Sequence, residues 1–187
     1  GTTLAVARAR YEPGRLTDVK EILVTQAWGS PLGTYAGRLI FGPDGMLYVS
    51  VGDRDGTGTN PVSTARPQAQ KLNSHIGKVL RVRDDGSAPS DNPFLNTPGA
   101  LPEIYTLGHR NVYGMAWDPK TGQMWTSEFG PAGGDEINME QAGHNYGWPD
   151  VSLGRNYTGR LMSEQPWYRE GMDMPVFFWN PTFNPEN

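Results

Sequence analysis

The amino-acid sequence predicts an all-β protein of short antiparallel strands, built on a repeating unit of the β-propeller kind. Three observations carry this expectation. Gly 24 and Pro 16 fill about a fifth of the 187 residues, which suits short strands joined by tight turns better than helices. The 6 Trp and 8 Tyr favour a pleated, half-buried surface. Helical periodicity is nearly absent, while apolar runs recur between turn signals. The aromatics and the regular apolar runs also separate the chain from a disordered Gly/Pro-rich segment.

Along the chain, Thr3 to Ala9 and Lys20 to Thr25 read as strands, with Glu12-Pro13-Gly14-Arg15 as the turn region between them. Arg38 to Phe41, Gly42-Pro43-Asp44-Gly45 and Met46 to Val51 read as a hairpin. Its turn has a mechanism: Pro fixes φ, Asp bonds back to the backbone, and Gly tolerates positive φ. Asp53 to Asn73 is a polar stretch suited to an inserted loop. Ile76 to Val82 reads as a strand, with Asp84-Asp85-Gly86 as its turn. Val112 to Trp117, Asp118 to Gly122 and Gln123 to Ser127 form a further hairpin.

The segments Phe41 to Ser50 and Trp117 to Ser127 look alike. Each runs from an aromatic through Pro and Gly to an apolar residue, an aromatic, a β-branched residue and Ser. Pro119 follows Pro43 by roughly 76 residues, more than the roughly 40–50 of one four-stranded blade. The inserted loop absorbs the excess. Two ordinary Pro-Gly hairpins in a sandwich are the alternative.

At roughly 45–60 residues per blade the chain would cover three to four blades. Residues 1–187 then read as one partial propeller domain. Closure is what removes sheet edges in a propeller, so the missing blades are expected from the rest of a longer chain or from a second chain. The opening of the chain on a strand-like segment points to a fragment.

Charge and composition exclude several functions. The net charge of −4 and the lack of a basic stripe give no nucleic-acid face. With Cys 0 there are no disulfides and no thiolate metal sites. No apolar run approaches the roughly 18 residues of a membrane span.

Two constellations carry chemistry. Ser127 to Asn138, followed by Asn145-Tyr146-Gly147-Trp148-Pro149, combines glycines with accessible carbonyls and the carboxylates Asp135 and Glu136. Ca²⁺ takes six to eight hard oxygens of these kinds; a Gly-rich turn capped by Asp is the plainer reading. Gly108-His109-Arg110-Asn111 precedes a strand and can present a cationic fork and an amide to one ligand. A loop salt bridge is the alternative for Arg110, and a hydrogen-bonded structural role the alternative for His109.

Taken in order, several motifs resemble the glucose/sorbosone dehydrogenase family, most closely its aldose sugar dehydrogenase branch. They are Gly37 to Asp53, Gly77 to Arg81 with Asp84 to Ser87 and Asp91 to Phe94, Gly108 to Asn111, Glu128 to Pro131, and Gly134 to Asn138 with Asn145 to Pro149. The resemblance covers nearly the whole chain. It implies a six-bladed propeller with pyrroloquinoline quinone (PQQ) in the central mouth and one Ca²⁺ against it. Arg110 and Asn111 resemble the pair that contacts the quinone oxygens, and Tyr157 resembles a tyrosine beside the cofactor. Gly130 and Pro131 are similar to backbone carbonyl donors to calcium, and Glu136 and Tyr146 to further ligands.

The implied activity is oxidation of an aldose at C1 by hydride transfer to the quinone, then transfer to an external electron acceptor. The implied location is periplasmic or secreted. The sequence departs from the family at one place, for the position of the family's base His holds Thr34. A Thr hydroxyl cannot deprotonate a sugar hydroxyl near neutral pH without an activating base of its own. The alternative is therefore a non-catalytic calcium-binding propeller module. A calcium-dependent propeller lactonase is a more distant one, because fold alone does not fix chemistry.

Overall fold

The computed structural model describes residues 1–56, 63–163 and 168–179. Residues 57–62, within the expected inserted loop, lie outside that set. The described part of the loop includes a short 3₁₀ turn, Arg66–Gln70, with proline in its first turn. The strands are β1 (Ala5–Glu12), β2 (Arg15–Val24), β3 (Ala36–Phe41), β4 (Leu47–Val51), β5 (Lys78–Val82), β6 (Ile104–Leu107), β7 (Val112–Trp117), β8 (Met124–Glu128), β9 (Glu136–Glu140) and β10 (Phe177–Phe178). No helix among the described residues is long and apolar enough to cross a membrane.

All strand pairing in the sheets is antiparallel between sequence neighbours. β1 and β2 form a two-stranded sheet, β3-β4-β5-β6 one four-stranded sheet and β7-β8-β9-β10 another. The expected hairpins appear with their turns. Glu12 pairs with Arg15 around Pro13-Gly14, Phe41 with Leu47 and Trp117 with Met124. Three strands were not expected: β6, β9 and β10. Glu136 to Asn138, read as part of an irregular loop, belongs to β9, so the Gly-rich segment is only the connection from β8 to β9.

The side-chain alternation of β4 and β5 supplies two cores, one on each face of the first sheet. Leu47, Val49, Val51, Leu80 and Val82 meet Val6 and Leu23 of the β1–β2 hairpin. On the other face Tyr48 and Val79 meet Val112, Met115 and Met124 of the second sheet. The first sheet is thus covered on both faces, as its continuous burial along β4 and β5 requires.

Arg81 ties the turns to this stack. Its Nε donates to Asp44 Oδ2 at 2.9 Å, and its two Nη atoms grip the Asp91 carboxylate at 2.9 and 3.1 Å. Asn92 Nδ2 closes the clamp by donating to the Arg81 and Pro102 carbonyls. The Pro43-Asp44-Gly45 and Asp91-Asn92 motifs are therefore structural.

Candidate functional site

Antiparallel order brings the start of β3, the end of β4, the start of β7, the end of β8 and the start of β9 to one rim. Gly108 to Asn111, the β8–β9 connection and the loop before β3 meet there. Glu128, the last residue of β8, organises the rim. Its Oε2 accepts the backbone N–H of Arg110 at 2.7 Å and of Asn111 at 3.3 Å. Its Oε1 lies 3.0 Å from His109 Nδ1 and accepts Asn138 Nδ2 at 3.1 Å.

His109 is fully enclosed. Its Nε2 faces Thr106 Oγ1 at 2.9 Å and Glu140 Oε2 at 3.5 Å, and its ring stacks on Tyr146 at 4.9 Å. Burial alone would push the imidazole down, but Glu140 and Glu128 outweigh it and lift the group to about 10. An imidazolium between two carboxylates therefore fixes the turn that presents Arg110 and Asn111.

The Arg110 guanidinium reaches across the rim. Its Nη1 donates to the carbonyls of Phe129 at 2.9 Å and Gly130 at 2.6 Å, and it lies 5.6 Å from the Trp148 ring. No carboxylate among the described residues forms a salt bridge with it, so its charge remains available to an anion. Asn111 Oδ1 accepts Ala36 N at 2.9 Å and ties the turn to β3.

Arg110, Glu128, Gly130, Glu136, Tyr146 and Trp148 line one small, partly open cleft. Glu136 keeps some surface, but its carboxyl end lies inside. It accepts a single long hydrogen bond, from Asn138 Nδ2 at 3.4 Å, while Asn138 Oδ1 has no partner. Burial and the neighbouring Glu128 push the Glu136 carboxyl up to about 8. Among the described residues no three His, Asp or Glu side chains converge as a metal cage. A cation here would draw on carbonyls together with one carboxylate. The residues fit that demand: two carbonyls already converge on a positive charge, the Arg110 guanidinium, beside a carboxylate short of donors.

The structure thus brings Arg110, Gly130, Glu136 and Tyr146 of the expected residues to one cleft. Tyr146 lies there with its ring on His109, while its hydroxyl donates to Met139 O at 2.7 Å. Pro131 packs against Gly154, where an added Cβ would stand 2.8 Å from Pro131 Cδ. Tyr157 is 54% exposed and does not line the cleft. It stays near, because Ala132 and Arg155 exchange backbone hydrogen bonds of 2.8 and 3.1 Å. The other histidines are tied elsewhere, His75 to Gln26 N and Glu103, His144 to Asp173. Thr34 stands before β3 with its hydroxyl on Asp53.

The family model described as glucose/sorbosone dehydrogenase matches residues 1–187. The chain is 36% identical over 180 residues to the aldose sugar dehydrogenase YliI of Escherichia coli, covering 96% of this chain and 46% of that protein. It superposes on the apo-form crystal structure of the soluble Escherichia coli aldose sugar dehydrogenase with a TM-score of 0.85 and 36% identity, covering 94% of this chain and 49% of that one. The PQQ-bound aldose sugar dehydrogenase of Streptomyces coelicolor gives a TM-score of 0.69 at 32% identity, covering 94% and 46%. The chain spans about half the length of these relatives.

Proposed function

The chain belongs to the glucose/sorbosone dehydrogenase family, and from that premise we propose that its protein is a PQQ- and calcium-dependent oxidoreductase that oxidises aldose sugars at C1 and passes the electrons to an external acceptor. The observation that carries this reading is the cleft in which the unpaired Arg110 guanidinium and the Glu136 carboxyl stand together. A quinone bearing carboxylates needs the first, and a hard cation needs the second.

Arg110 and Asn111 would orient the quinone oxygens, with Tyr157 as an aromatic neighbour. The Gly130 and Pro131 carbonyls, Glu136 and Tyr146 would hold Ca²⁺. When bound, the quinone supplies the two-electron acceptor and Ca²⁺ polarises it as a Lewis acid.

The fold that goes with this function is a six-bladed β-propeller, of which residues 1–187 supply three to four blades as a partial domain. The remaining blades come from the rest of the protein or a second chain, and the protein works in the periplasm or outside the cell. Two stacked four-stranded meanders support the blade reading.

Thr34 at the base position favours a second reading, a calcium-binding propeller without turnover. Anaerobic titration of the full-length protein with PQQ, with and without Ca²⁺, followed by dye-coupled aldose oxidation, separates the two. Calcium-dependent quinone binding with turnover is expected. Quinone binding without oxidation of any aldose would select the second reading, and no quinone binding would defeat the first.

A further inference from the structure

We propose that Thr34 and Asp53 together are the proton acceptor of the sugar oxidation, Asp53 as its terminus and the Thr34 hydroxyl as its relay. This assignment rests on the oxidoreductase reading above. The Thr34 Oγ1 hydroxyl donates to Asp53 Oδ1. Asp53 is fully enclosed and also accepts Asp55 N on Oδ1 at 3.1 Å and Trp148 Nε1 on Oδ2 at 2.9 Å. Its own N–H donates to Arg110 O at 2.7 Å. Neither Thr34 nor Asp53 lines the cleft itself; the pair is joined to it through Trp148, a wall residue whose ring lies 5.6 Å from the Arg110 guanidinium.

Asp53 differs from a structural ion-pair carboxylate. The nearby guanidinium of Arg66 pairs with Asp55, at 2.6 Å, and the three hydrogen bonds that Asp53 accepts come from neutral groups. An Asx turn accounts for the Asp55 N–H alone. Thr34, unlike Asp53, keeps part of its surface, and its oxygen retains lone pairs to accept a proton.

The backbone holds the two residues together. Thr34 N donates to Asp55 O, Arg54 N to Thr34 O and Gly52 N to Tyr35 O, at 3.3, 3.2 and 3.0 Å. Ala36 and Arg54, beside the pair, both lie in the left-handed region at φ 55 and 59. Such residues persist where the surroundings over-determine them, and they concentrate at functional sites. Buried Arg54 supplies the constraint. It donates to the carbonyls of Ala27, Thr2 and Ser30 and lies 3.5 Å over the Tyr35 ring.

The sugar C1–OH donates to Thr34 Oγ1, and its proton passes there as the Thr34 proton passes to Asp53. The C1–H bond breaks with its electron pair leaving as hydride to the quinone oxidant, and C1=O forms the lactone. Asp53 is fully enclosed, so once the lactone has left, the proton returns to solvent through the partly exposed Thr34 hydroxyl. The charged groups facing Asp53 are Arg110 and the Arg66-paired Asp55. Burial raises the carboxyl above its ordinary range, while the Thr34 bond and Arg110 restrain the rise, which brings the acceptor nearer the working pH.

The test uses full-length protein with PQQ and Ca²⁺ saturating. Asp53→Asn and Thr34→Val should each lower aldose oxidation by about 10²–10⁴-fold, the usual contribution of a positioned base. PQQ affinity, read by absorbance, should stay within a few-fold. Thr34→Ser should lose less than Thr34→Val, and the acid limb of the parent pH profile should flatten in Asp53→Asn.

A readout free of turnover is the ¹³C-carboxyl NMR titration of Asp53 in quinone-free protein, whose midpoint should rise in Thr34→Val as the donor is lost. An unmoved midpoint, or an unharmed Asp53→Asn enzyme, overturns the dyad alone. A parent that binds PQQ but oxidises no aldose overturns the functional reading and this role with it, whatever the NMR coupling. Thr34→Val, at a partly exposed position, keeps the test decisive if Asp53→Asn fails to fold.

Discussion

His109 and Glu136 both hold protons that their free side chains would release near neutral pH. The enclosed His109 is lifted to about 10 from an ordinary 6.5, and Glu136 to about 8 from 4.5. The folded state therefore binds more protons than the unfolded chain from about pH 5 to 10, and stability falls as pH rises through that window. Each proton difference is worth at most about 1.4 kcal/mol per pH unit. We expect the melting temperature of the calcium-free protein to fall between pH 6 and 9, with a shallower fall in Glu136→Gln; an invariant melting temperature would contradict the burial of these charges. If the proposed calcium site is right, the ion would have to displace the Glu136 proton, and its affinity should rise about tenfold per pH unit up to near pH 8 and level off above. Calorimetry on Glu136→Gln should show weaker binding without that slope. Local motifs in the sequence singled out Arg110, Gly130, Glu136 and Tyr146, and the structure brings these four to one cleft. Asp53 was not assigned, because its proposed role depends on Thr34 and Trp148, 19 and 95 positions away.

The β8–β9 connection shows how an element can be tuned by its glycines. A Cβ on Gly130 would stand 2.2 Å from Gly133 O and 2.5 Å from the Gly134 carbonyl carbon. Gly130→Ala should therefore cost about 1–3 kcal/mol of stability, the range for overpacking, and weaken calcium binding as the carbonyl turns away. Gly122→Ala in the β7–β8 turn is the control, since a Cβ there meets nothing within 4 Å and only its positive φ resists. Denaturant midpoints for the two variants, read beside calcium titrations, check the difference. The hairpins were legible because Pro-Asp-Gly and Asp-Pro-Lys-Thr-Gly specify turns. β9 was not, because its buried positions are the polar Asn138 and Glu140 while Ile137 and Met139 are less covered. Its alternation reads as though the strand faced the wrong way, since its inner face serves a charge network.

At the scale of the molecule, three sheets stack with the first four-stranded one in the middle. Calcium that binds only the folded state should stabilise it by about 2.7 kcal/mol at 100 times its dissociation constant, a gain of several degrees in melting temperature. Thermal scans with calcium and with a chelator test this, and coincident curves would remove the metal from the site. The repeating unit was legible in the likeness of Phe41 to Ser50 and Trp117 to Ser127, which became the β3–β4 and β7–β8 hairpins. The number of blades was not, for it depends on partners of the outer sheets beyond this chain. The burial of β4 and β5 along their whole length has a kinetic consequence. Their amides, paired on both sides, should exchange with deuterium only through the largest openings, whereas the rim turns should exchange through small local ones. The proposed quinone could then be admitted and released at the rim on the timescale of turn motions while the stack beneath it stays shut.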